Sequence, residues 1–300
     1  MPIELPALSR RRFIGGSLAF GVAFFCDQFV GAAEPEPDPD SWALISDTHL
    51  AADPAFISKG VNLTESLQTV VAEIAGLARP PAGTLINGDL AFDAGEPGDY
   101  ARLIETLRPL RRAGQRVHLT LGNHDDREHF WEAFTAEKAT ARPVADHQMM
   151  MIRSLRANWF VLDSLEKVHS VPGRLGEAQL AWLSRALDEN ADRPALVMCH
   201  HNPDPAKALK DTPELLAILR PRKQVKAFFF GHTHNWDVQR DESGIHLINL
   251  PPTAHVFTPG RPRGWVYLQL QPAGARLEFR SLDRGHAAHG QLVDLPWRNG

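Results

Sequence analysis

Trp42-Ala43-Leu44-Ile45-Ser46-Asp47-Thr48-His49 sets an uncharged apolar run against two metal-type side chains. The first five residues read as a short buried strand that stops at Asp47. Asp47 and His49 flank Thr48, so in extended chain both side chains point the same way and can clasp one cation. The arrangement returns downstream. Residues 84–88 run into Asp89, 117–121 into Gly122-Asn123-His124-Asp125, 194–199 into His200-His201, and 225–230 into Gly231-His232-Thr233-His234. Between these runs, Leu63, Leu67, Val70, Val71, Ile74 and Leu77 recur at helical spacing and predict a helix over 63–77. Further helices are expected over 99–112, 128–134 and 177–187, with strands over 148–153 and 159–162. Such alternation means βαβ units. After residue 245 the strand-like runs 245–250, 265–270 and 277–281 have no helix between them, which predicts an antiparallel closing sheet. The expected fold is α/β: one domain over residues 41–285, a two-sheet sandwich with helices outside, followed by a tail over 286–300.

Composition narrows the function. The chain has 300 residues, 43% apolar and 23% charged, the profile of a globular protein. Lys plus Arg number 32 against 36 Asp plus Glu, a net charge of −4 that offers no positive field for a polyanion, so nucleic acid is not an expected partner. The two cysteines, Cys26 and Cys199, cannot make a disulfide framework. Fourteen histidines against 2 Tyr and 5 Met, many of them beside Asp, Asn or Gly, point to metal chemistry.

The first 33 residues read as an address. Ser9-Arg10-Arg11-Arg12-Phe13-Ile14 opens an uncharged run over 14–26, too short to span a bilayer core, which takes about 20 helical residues. Gly31-Ala32-Ala33 follows. The order of basic, apolar and small residues is that of a cleavable signal peptide, and the arginines resemble a twin-arginine signal. Cleavage after Ala33 would send the protein through the export machinery to a periplasmic or extracellular location, with no stable membrane span in the mature form. An uncleaved anchor is the alternative. Glu34-Pro35-Glu36-Pro37-Asp38-Pro39-Asp40 reads as a stiff acidic spacer.

In open α/β sheets, ligand sites form outside the carboxyl ends of the strands, where residues remote in sequence converge. All five clusters sit at such ends. Each has an ordinary reading when taken alone: Asp-x-His as a cap and a surface imidazole, Gly-Asp as turn chemistry, Asn-His-Asp as a helix cap. Together, carboxylate, amide and imidazole without thiolate suit an open catalytic site for Mn, Fe, Zn or Co. A shared carboxylate lets two ions sit about 3.5–4 Å apart and clamp a phosphoryl centre. Asp89 is the natural bridge.

The ordered set Asp47-x-His49, Gly88-Asp89, Gly122-Asn123-His124-Asp125, His200-His201 and Gly231-His232-x-His234 resembles the calcineurin-like metallophosphoesterases, over roughly residues 42–258. Within them the chain is similar to class III cyclic nucleotide phosphodiesterases and related glycerophosphodiesterases. Gly122-Asn123-His124-Asp125-Asp126-Arg127, Leu162-Asp163-Ser164 and the stretch 173–183 carry that likeness. The resemblance implies a four-layer α/β/β/α sandwich of two mixed sheets flanked by helices. It implies two divalent metal ions (Mn, Fe or Zn), the first on Asp47, His49, Asp89 and His234 and the second on Asp89, Asn123, His200 and His232.

It further implies hydrolysis of a small-molecule phosphodiester by a water or hydroxide held between the ions. His124 is then the general acid, Asp125 fixes its tautomer, and Asn123, His124 and His201 face the substrate. Arg127 is a weaker candidate for holding a phosphate oxygen. Two positions depart from relatives. Phe92 stands where purple acid phosphatases carry a metal-binding Tyr, and Asn202 stands where proline commonly follows the paired histidines. A phosphomonoesterase on the same residues, or a non-catalytic metal-stabilised binding protein, are the rival readings.

Overall fold

The computed structural model describes residues 36–139 and 141–299. The export signal expected over 1–33 lies outside the described residues.

The chain opens with β1 (Asp38–Ser46), a short hairpin of β2 (Ile57–Ser58) and β3 (Val61–Asn62), and α1 (Leu63–Ala75). It continues through β4 (Pro81–Asn87), α2 (Pro97–Thr106), α3 (Arg108–Arg112), β5 (Val117–Thr120), α4 (Arg127–Ala133) and α5 (Thr135–Ala139). The second half holds β6 (Met150–Arg153), β7 (Asn158–Val161), α6 (Gly176–Glu189), β8 (Ala195–Met198), α7 (Thr212–Leu219) and β9 (Val225–Phe230). Five strands finish it: β10 (Asp237–Arg240), β11 (His246–Asn249), β12 (Gly264–Gln271), β13 (Gly274–Ser281) and β14 (Leu292–Pro296).

Two six-stranded sheets result, ordered β14-β13-β12-β1-β4-β5 and β10-β11-β9-β8-β7-β6. Both are mixed: β1 runs parallel to β4 and antiparallel to β12, while β9 is parallel to β8 and β11. The two-residue period of the strands builds the layers. Trp42 and Leu44 of β1 enter the core between the sheets with Trp159, Met198 and Phe229, whereas Ala43 and Ile45 face the layer of α1, α2 and α4. Phe228 and Phe230 of β9 turn outward, under α6 and α7. Strands buried on both faces read as unbroken apolar runs, which is why these segments stood out. The sandwich is four layers, α/β/β/α.

The differences from expectation have local causes. The single helix over 99–112 is two, α2 and α3, because Pro109 has no N–H to continue the ladder. The run 245–250 is parallel to β9 in the second sheet, so it does not belong with the closing strands. β12, β13 and β14 do form an antiparallel closing set. The tail expected over 286–300 is structured over its described residues, 286–299. β14 pairs with β13, and Arg298 is buried with its guanidinium donating to the carbonyls of Val225, Arg220, Leu219, Arg222 and Ser243. At the other end the spacer is shorter than 34–40: Asp38 N donates to the Pro80 carbonyl at 2.7 Å, and Asp40 pairs with Arg156 at 2.6 Å.

Candidate metal centre

The loops leaving β1, β4, β5, β8 and β9 are laced together by backbone bonds. His49 N donates to the Asp89 carbonyl at 2.8 Å, and Gly231 N donates to the His200 carbonyl at 2.9 Å. The loops turn sharply. Asp47, His49, Asp89, His232 and His234 all adopt left-handed backbone, φ +46° to +68°, at a cost of order 1 kcal/mol each for residues with a Cβ. Five such residues converging on one crevice mark a strained functional site rather than ordinary turns. Two glycines let the strand ends close. A Cβ on Gly122 would collide with Asp89 Oδ1, and one on Gly231 would collide with Ser46 Oγ and Asp47 Oδ2.

Asp47, His49, Asp89 and His234 each bring a donor atom within 4.8 Å of the others, and so do Asp89, His200 and His232. Asp89 is common to both groups. His200 Nε2 lies 3.2 Å from Asp89 Oδ2 and 4.0 Å from Asp47 Oδ1. Three imidazoles are held from behind by carbonyls, which can only accept: His49 Nδ1 by Phe92 at 3.2 Å, His234 Nδ1 by His255 at 2.6 Å, and His200 Nδ1 by Asn87 at 3.0 Å. Their Nδ1 atoms therefore carry the hydrogens, which leaves each Nε2 lone pair directed at the carboxylates, the arrangement that orients metal ligands. Asn123 is 3% exposed, and its Oδ1 is buried without a hydrogen-bond partner among the described residues. A buried orphan acceptor beside paired carboxylates and lone-pair imidazoles fits divalent cations.

The paired carboxylates call for positive charge, which a proton on His200 Nε2 supplies when no metal does. Burial pushes the Asp47 carboxyl up, while His200 and His49 hold Asp89 well below the usual carboxylate range despite its burial. Burial opposes charge on His200, but Asp89 and Asp47 outweigh it and push its pKa up to about 9. Burial holds His49 well below its ordinary value, and burial with the neighbouring His200 takes His232 to about 3.

Three expected roles change. Asp125 does not touch His124. Fully buried, it accepts from the backbone N–H of Gly122, Leu90 and Ala91 and from the Tyr100 hydroxyl, at 2.9–3.2 Å. The His124 tautomer is set instead by Asp93, whose carbonyl accepts from His124 Nδ1 at 2.7 Å. His201 does not face the opening: it is fully buried, with Nδ1 2.8 Å from Ser164 Oγ and its ring 4.7 Å from that of His232. Arg127 is committed to Asp163, at 2.7 and 3.1 Å, and to the Leu165 carbonyl. His124 stands at the rim, its ring 5.0 Å from that of His49. Phe92 packs on Phe56. Ser46, which donates to Asp47 Oδ2 at 2.5 Å, and Asp93 gave no signal in the sequence, since neither belongs to a cluster.

Residues 42–236 match the calcineurin-like phosphoesterase family. The chain belongs to it. A probable cyclic nucleotide phosphodiesterase of Synechococcus is 32% identical over 78% of this chain and 89% of its own. The 3',5'-cyclic adenosine monophosphate phosphodiesterase CpdA of Haemophilus influenzae is 30% identical over 79% and 84%. The glycerophosphodiester phosphodiesterase GpdQ of Enterobacter lignolyticus is 26% identical over 71% and 77%. A dimetal phosphatase from Danio rerio has the same fold, with a TM-score of 0.69 over 87% of this chain and all of that one at 16% identity. This calcineurin-like phosphoesterase is thus a metal-dependent phosphoester hydrolase with a buried Asp/His centre for divalent metal.

Proposed function

We propose that the protein hydrolyses small phosphodiesters, of the cyclic nucleotide or glycerophosphodiester type, with two divalent cations (Mn, Fe or Zn) in the crevice. Asp47, His49, Asp89 and His234 would hold one ion, and Asp89, Asn123, His200 and His232 the other. When bound, such ions activate water and neutralise charge on the phosphoryl oxygens. The observation that carries the reading is the pairing of His49 and His234, whose Nε2 atoms lie 3.0 Å apart while both Nδ1 atoms donate to carbonyls.

The protein's own residues supply the rest. His124, held by the Asp93 carbonyl through Nδ1, gives a proton from Nε2 to the leaving alkoxide. The pair of buried Asp163 with partly exposed Arg127, with Gln148 N also donating to Asp163, steadies the loop that borders the crevice. Relatives named as phosphodiesterases support the diester over a monoester.

Metal analysis of protein purified without added metal, followed by rates on bis-p-nitrophenyl phosphate, p-nitrophenyl phosphate and cyclic AMP, tests this. Two equivalents of metal and faster diester cleavage are expected. A monoester preference would overturn the substrate class. The arginine-led N-terminus supports export, and replacing Arg10 and Arg11 by Lys should leave the protein in the cytoplasm.

A further inference from the structure

At the rim of the crevice three side chains from three separate connections meet outside the seven residues already described. Asp93 follows β4, His124 follows β5, and His169 lies in the long connection between β7 and α6. His169 Nδ1 is 3.2 Å from Asp93 Oδ1, and His124 Nδ1 is 4.0 Å from that same oxygen. One donor atom from each residue lies within 4.8 Å of the other two, and the imidazoles stand edge to face with centroids 5.6 Å apart. Neighbouring ligands on a tetrahedral zinc with bonds near 2.05 Å are about 3.3 Å apart, so releasing His124 Nδ1 from the Asp93 carbonyl, 2.7 Å away, with small side-chain movements would close this group on an ion. His169 is also held in place: its backbone is left-handed at φ +62°, and its N–H donates to the Asn123 carbonyl at 2.7 Å. A solvent-exposed Asp–His ion pair is worth about 0–1 kcal/mol and would not call for this tether.

We propose that Asp93, His124 and His169 form a further, inhibitory site for a zinc-type divalent ion, distinct from the buried centre. Two imidazoles and one carboxylate, with water in the fourth position, are a zinc ligand set. The site is open, Asp93 and His169 being 58% and 60% exposed, so an ion can come and go without disturbing the core. The buried centre, with seven side chains largely enclosed from water against three at the open rim, fills first, and the rim takes up zinc only when it is in excess.

On binding, His124 Nδ1 exchanges its proton for the ion and the proton passes to solvent. The imidazolium needed to protonate a leaving alkoxide can then no longer form. The inhibitory half of the proposal rests on the acid role proposed for His124; the binding half does not.

The test compares wild type with Asp93→Asn, His169→Ala and His169→Asn, the last keeping a residue that tolerates left-handed backbone. Each protein is first loaded with its resident metal and then equilibrated against rising free zinc. Bound zinc is counted by elemental analysis, and diester turnover is followed in parallel. Wild type should retain one more equivalent than each variant, and the zinc midpoint for inhibition should rise about tenfold or more in the variants. An equal zinc count in all four proteins overturns the site. A lower count with an unchanged inhibition midpoint overturns the inhibitory role. If the protein proves not to be a phosphodiesterase, the count still decides the site.

Discussion

His49 and His234 point their Nε2 atoms at each other across 3.0 Å, with each ring locked from behind by a carbonyl. Two imidazole lone pairs at that separation repel unless a cation lies between or beside them. Asp89 and Asp47, each 3.5 Å from one of these nitrogens, complete the setting. Divalent metal in this crevice should therefore stabilise the fold. Saturation at 100 times the dissociation constant contributes about 2.7 kcal/mol. Exhaustive chelation should accordingly lower the melting temperature by about 5–10 °C in a domain of this size. Superimposable calorimetric scans before and after chelation would refute this.

The glycines at the strand ends offer a test of geometry without touching a ligand. A methyl at 231 collides with Asp47 Oδ2 and Ser46 Oγ, so Gly231→Ala should displace the Asp47 carboxylate. Metal retained after dialysis should fall by at least one equivalent, with circular dichroism near wild type. Full retention of metal with full activity would mean that the loop yields easily.

His124 and Asp125 are adjacent but do different things, so their variants should separate. His124→Ala should keep its metal and its melting temperature, and lose about 10²–10⁴-fold in turnover on a poor leaving group, with a smaller loss on a nitrophenolate. Asp125→Ala leaves three backbone N–H groups without their acceptor and removes one of the two acceptors of the Tyr100 hydroxyl, the other being the Asp126 carbonyl. It should cost about 3 kcal/mol or more of stability, measured by denaturant titration. Unchanged turnover of His124→Ala on the poor leaving group would remove the acid role.

The end of the chain is a structural clamp. Replacing Arg298 by Ala removes the guanidinium from five carbonyls, of which those of Leu219 and Arg222 keep a backbone N–H partner, and unpins β14; it should lower stability by about 2–4 kcal/mol. Limited proteolysis should then cut first between residues 285 and 299. A variant as resistant as wild type would show that the strand holds without it.

Acid should act through His118, whose Nε2 is buried without a hydrogen-bond partner among the described residues and whose pKa burial lowers to about 4 from 6.5. The unfolded chain binds this proton near pH 6.5 and the folded one only near pH 4, so stability drops as the pH falls across that window, by about 3 kcal/mol from this group. His118→Phe should flatten the fall between pH 6.5 and 4 relative to wild type. Parallel curves for the two proteins would assign acid sensitivity to other groups.

The order of strands and helices was legible because segments buried on both faces must be continuously apolar, as in Leu44-Ile45 and Phe228-Phe229-Phe230. The metal-type residues were legible because they follow such runs directly. Less came from short or half-exposed elements. α7 has only two turns, β10 is largely solvated, and β14 carries Asp294 and Pro296 within five residues, so none shows a periodicity above its surroundings.

By itself the sequence determined which side chains end each buried strand, and with them the choice of carboxylate and imidazole over thiolate; local burial and strand period suffice for that. Only the tertiary structure decided what each neighbour does. Asp125 turns inward to backbone amides, His201 is enclosed against Ser164, Asp93 holds His124, and His169 arrives at the rim from a distant loop. Those outcomes depend on how left-handed turns aim side chains and on which loops meet across two sheets, contacts between residues dozens of positions apart that no local pattern encodes.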